Sequence, residues 1–134
     1  MSMFHPKTNA FDKRMKELFD EIDDELEEEF GDRYPLHPNR PKRGATANKS
    51  ADGLFNIGVQ FTPGYGSEQG RGYVVDFRIA TLAKVCSHER ELFLDRVVEL
   101  IKVNLPEFFP DRHLEIVRDG SVFKIIGDFS LGSL

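Results

Sequence analysis

Arg40, Lys42, Arg43 and Lys49 crowd into "HPNRPKRGATANKSADG", residues 37–53, a stretch that carries no acid until Asp52. Guanidinium forks and a point-charge ammonium are the side chains that grip phosphates and carboxylates. The same cations can instead fold back on the chain's own carboxylates, because charge runs usually serve as solvated or neutralising faces. A second candidate is "GYGSEQGRG", residues 64–72, where glycines let backbone N–H groups approach an anion and Arg71 adds charge. Nucleotide-binding glycine loops require a strand, a fixed spacing and then a helix. Here a strand follows, so the loop reads as a hairpin tip or a partner-contact loop.

Nucleophilic chemistry has one candidate. Cys86 just ahead of a helix, with His88 two residues on, has the composition of a thiol-dependent site. Spacing alone does not bring the two side chains together, and a lone cysteine is commonly a small hydrophobe. His5, His37, His88 and His113 are scattered singly, with no i, i+4 pair of the kind that holds zinc, so neither a metal nor a cofactor is expected. The carboxylates of the first helix lie on an exposed stripe, which does not supply the shifted pKa that acid–base catalysis needs.

Charge is segregated along the chain. The net charge is −5, yet residues 11–32 carry eleven acids against three bases, while residues 33–51 carry five bases and no acid. A pI near 5.4 argues against a dedicated nucleic-acid binder, and only Tyr34 stands near the bases to stack on a nucleotide. The acidic face likewise disfavours anionic membranes. No apolar run approaches the roughly 20 residues that span a bilayer, and the N-terminus lacks a signal-peptide core. One cysteine excludes an internal disulfide and suits a reducing compartment, so a soluble cytoplasmic protein is expected.

These residues need a frame to position them. Phe11, Met15, Leu18, Phe19, Ile22, Leu26 and Phe30 recur at helical spacing and predict a helix over 9–30, capped by Thr8 or Asn9 and closed by a left-handed Gly31. Its last turns are acidic, where the helix dipole favours cations, and a basic neighbour would offset that cost. Pro35, Pro38 and Pro41 then exclude helix and central strand from the connection over 32–53.

The body over 54–126 reads β-β-α-β-β. Residues 54–61 and 73–80 alternate with period two; Phe93, Val97, Leu100 and Ile101 stripe a second helix over 88–104, capped by Ser87 and ended by Pro106 and Pro110. Residues 113–117 and 122–126 flank "RDGS", where Asp119 and Gly120 supply the positive φ angles of a tight turn. In that register Ile116 faces Phe123, Leu114 faces Ile125, and Glu115 opposes Lys124 on the outer face. The expected fold is one α+β domain of two layers, an antiparallel sheet of two hairpins with the helices on one face, in the order α-β-β-α-β-β.

From these features the expected function is a non-enzymatic binding or protein-interaction module. It recognises an anionic ligand or acidic partner through the basic 40–49 segment and the 64–72 loop. A thiol enzyme built on Cys86 and His88 and a self-associating scaffold, homodimeric through a helix or a sheet edge, are the alternatives.

Overall fold

In the computed structural model, residues 6–46, 52–63, 72–120 and 122–127 are described. Two helices, α1 (Pro6–Phe30) and α2 (Ser87–Phe108), pack on one face of a four-stranded sheet made of β1 (Phe55–Thr62), β2 (Gly72–Ile79), β3 (Leu114–Asp119) and β4 (Val122–Gly127). The strand order is β1-β2-β4-β3, antiparallel throughout, so β1 and β3 are the edges. This is the two-layer α+β arrangement.

The core forms where the helical stripes meet the inward side of the pleat. Leu18, Ile22, Leu26, Phe93, Val97 and Ile101 interlock with Phe55, Ile57, Phe77 and Ile125, all nearly or fully buried. Phe93 sits at the centre, edge-on to Phe55 with ring centroids 5.3 Å apart and tilted against Phe30 at 5.1 Å. Such aromatic contacts add to the burial that drives the two layers together.

Several local expectations are corrected. Helix α1 begins at Pro6, not near Asn9, so Thr8 and Asn9 lie inside it; a proline suits a first helical position, where its missing N–H has no intrahelical partner. Gly31 is not left-handed. Its need for glycine is steric, since a Cβ there would strike the carbonyl oxygen of Glu27. Cys86, not Ser87, is the N-cap of α2, and its side chain makes no cap bond. The helix also runs through Pro106 to Phe108: the proline forgoes its bond to the carbonyl of Lys102, but the turn still closes, with Phe109 N–H donating to Leu105 C=O.

The second hairpin is shifted by two residues from the expected register. Asp119 pairs with Val122, Val117 with Lys124 and Ile116 with Ile125. Only Gly120 at φ 66° is left-handed among the described residues of the turn; Asp119 stays in the strand. Lys124 therefore does not face Glu115. It is buried on the outer side of the sheet, with Nζ 2.6 Å from the Asp119 carboxylate, which compensates a charge that would otherwise be costly to desolvate.

Candidate functional site

The proline-broken connection is fastened along its described length. His37 N–H donates to the carbonyl of Ala80, and Thr81 Oγ1 donates to that of Pro35, laying the strap against the end of β2. Arg33 reaches Glu89 in the first turn of α2 at 2.7 Å. Prolines leave a chain without regular hydrogen bonding, and here side chains and single backbone contacts take its place.

Arg40 is spent on the backbone. Its guanidinium donates to the carbonyls of Gly53, Asp52 and Phe55 at 3.0–3.2 Å. Arg43 is spent on carboxylates, lying 2.5 Å from Asp24, 3.2 Å from Asp52 and 3.4 Å from Asp23. Asp52, buried, also accepts from the N–H groups of Gly44 and Thr46 and from the Thr46 hydroxyl. Burial pushes its carboxyl up, but these bonds and Arg43 together bring it below the usual carboxylate value. Glu27 completes the knot by accepting the Phe55 N–H at 2.7 Å.

Asp23 is the discordant member. It is 1% exposed, and neither of its carboxylate oxygens has a hydrogen-bond partner among the described residues. Burial outweighs the attraction of Arg43, with Glu27 and Asp24 adding repulsion, and raises it from 3.8 to about 7. Sequence reasoning placed Asp23 with the exposed acids. Its position four residues after Phe19 and three before Leu26, on the flank of the apolar stripe, was the signal that could have found it.

The knot forms one wall of a cleft of about 860 Å³ at the C-terminal end of α1. Glu25, Glu28 and Asp32 line it with Lys42, and the strap residues Tyr34, Pro35 and Leu36 close it. Glu21, Glu25, Glu28 and Asp32 follow one another at helical spacing, and no ion pair engages them among the described residues. By contrast Arg33, Arg40, Arg43 and Arg96 are all engaged, Arg96 through a two-pronged bond to Glu29 at 2.7 and 2.9 Å that holds that carboxyl below its usual range.

Of the expected anion-binding residues, Arg40 and Arg43 come together inside the knot, Lys42 is exposed on the cleft, and Lys49 and Arg71 lie outside the described residues, as do residues 64–71 of the loop. Cys86 and His88 are both exposed, with no hydrogen bond between them. Among the described residues no group of three or more His, Cys, Asp and Glu side chains is arranged to hold a metal ion, and no helix is long and apolar enough to cross a membrane.

A family model described as "Uncharacterised protein" matches residues 6–127, the span from the first residue of α1 to the last of β4. The chain belongs to this family. A similar protein, an "Uncharacterized protein" of Borreliella burgdorferi (strain B31), is 43% identical over 123 residues, which cover 92% of this chain and 96% of that one. No solved structure matches. The span shared with the family includes the strap, the knot and the cleft.

Proposed function

We propose that this chain is a non-enzymatic protein-interaction module that receives a lysine- or arginine-rich segment of a partner protein in the cleft at the end of α1. The observation that carries the reading is the sign of the charge left over. Arg40 and Arg43 are turned inward, so the side chains offered to a ligand in the cleft are the carboxylates of Glu25, Glu28 and Asp32, with Glu21 one turn before them on the exposed helix face. Complementary charge steers encounter and sets specificity more than it sets affinity, so binding of modest strength and strong salt dependence is the expected behaviour.

The test is a titration of a labelled basic peptide at low and at physiological salt. Binding that weakens with salt, and weakens further when the four stripe acids become Gln, supports the reading. A matched variant with Glu91, Asp95, Glu107 and Asp111 changed to Gln removes the same charge elsewhere and should bind like the parent. Equal losses in the two variants, or no binding at low salt, would refute it.

For the anionic-ligand reading, the support among the described residues is Lys42, exposed on the same cleft. A labelled oligonucleotide in the parallel titration addresses it. Binding abolished by Lys42→Ala would favour an anion over a basic segment.

A further inference from the structure

Between α1 and the edge of β1 that no described strand pairs with runs a groove of about 460 Å³. Its floor is apolar, with Met15 and Phe19 from the helix and Ile57, Val59 and Phe61 from the strand, and Phe61 is 50% exposed. From this groove and the strand beside it we infer that β1 pairs with β1 of a second copy of the chain, antiparallel about Val59, joining two four-stranded sheets into one of eight.

The backbone fixes the available segment. Ala80 N–H donates to Leu54 C=O in the register that pairs Phe55 with Ile79, so the even-numbered residues of β1 turn their backbone groups to β2 and the odd-numbered ones turn theirs to the free edge. The contacts of Phe55 agree, for its N–H goes to Glu27 and its C=O to Arg40, as a neighbouring strand would have taken them. Ile57, Val59 and Phe61 face the same edge, and their N–H and C=O groups have no partner there among the described residues. At the far end Pro63 has no N–H to give.

The open stretch is therefore bounded by Phe55 and Pro63 and is symmetric about Val59. In an isologous pairing Val59 meets its own copy and Ile57 meets Phe61, which exchanges six hydrogen bonds and covers the exposed ring. A strand edge usually protects itself with charge, proline or a bulge. The other edge, β3, carries Glu115, Arg118 and Asp119, whereas "FNIGVQFT" in β1 has no charged residue.

Charge also fits a second copy. Asp12 accepts from the Tyr73 hydroxyl, beside Phe61, and Glu27 holds Phe55, so α1 runs antiparallel to β1. Val59 lies a third of the way from Phe61 to Phe55 and so stands across from the stretch between Lys16 and Asp20. A two-fold axis through Val59 brings Lys16 of each copy toward Asp20 of the other, a pair that already attracts within the chain at 3.3 Å. The acidic stripe of residues 21–32 lies away from the axis, which limits repulsion between two chains of net charge −5.

Light scattering on the full chain at tens of micromolar should return twice the monomer mass; a monomer overturns the inference. Val59→Pro removes only an edge-facing N–H and Phe61→Glu places a charge in the interface. Each should give a monomer with the parent's circular dichroism, and a dimer that survives Phe61→Glu overturns the inference even if Val59→Pro fails to fold. Amide exchange supplies a third readout. Protection at Ile57, Val59 and Phe61 should rise with protein concentration while Asn56, Gly58 and Gln60 stay protected throughout; concentration-independent exchange at the odd positions would count against it. None of these outcomes depends on whether the acidic cleft binds a basic peptide.

Discussion

At Asp23 the fold holds a carboxylate where water is excluded and hydrogen bonds are missing. Its folded value of about 7 lies above the ordinary 3.8, so the folded state grips the proton more tightly than the unfolded chain does. Whatever stability this proton contributes is complete below 3.8 and is lost as pH rises through about 7. Asp23→Asn removes the titration, so the variant's stability relative to the parent should increase from pH 4 to pH 8, at a slope of at most about 1.4 kcal/mol per pH unit. Urea melts across that range would show it, and a difference that is flat with pH would mean that Asp23 is ionised throughout. Gly53 is the other sensitive residue. It has φ of 77°, and a Cβ would lie 2.6 Å from the Glu27 carboxylate. Gly53→Ala should therefore cost about 1–3 kcal/mol, from left-handed strain and from the displaced Glu27, read from the shift of the urea midpoint.

At the scale of elements, the strap over 32–53 is the part that ties the acidic helix to the edge of the sheet. Arg43 meets Asp23, Asp24 and Asp52, and removing one partner of a buried ionic group leaves the others uncompensated. Arg43→Ala should destabilise by about 3–5 kcal/mol and expose the stretch Pro41–Thr46 to proteolysis before the sheet unfolds. Arg96 and Glu29 cross-link the two helices at the surface with both side chains about a third exposed, so Arg96→Ala should be far milder. A loss from Arg96→Ala equal to that from Arg43→Ala would contradict this ranking. The periodicities of all six elements could be read from the chain, but the register of the second hairpin could not. Facing apolar pairs were available in two alignments, and the position of the tight turn, one residue later than expected, chose between them.

For the whole molecule, pH acts through opposing groups. Asp52 and Glu29 have depressed values, so their contributions are present above the ordinary carboxylate range and are lost as pH falls through the depressed ones. Asp23 works in the other direction between 3.8 and about 7. Stability should therefore pass through a maximum on the acid side of neutrality, near pH 5, where denaturant midpoints should exceed those at both pH 3 and pH 8. A maximum at or above pH 8 would show that the buried Asp23 does not govern the neutral limb. At this scale the chain is also a charge-sorted object, with an internally neutralised knot, an open acidic stripe and an uncharged strand edge at separate places on its surface.

The sequence by itself determined the elements, their order and the two-layer architecture, because hydrophobic spacing of period two or 3.6 is a property of neighbouring residues. It also showed that a basic stretch follows an acidic helix and that Asp52 is the one acid to end it. Only the tertiary structure decided what those charges do. Arg40 and Arg43 have the same local signature as ligand-binding arginines, and whether a guanidinium meets a ligand or the chain's own Asp23, Asp24 and Asp52 depends on partners up to twenty residues away. Burial of Asp23 and Lys124 and the edge position of β1 among the described strands were likewise set by packing and strand order, which bring together groups that no local pattern relates.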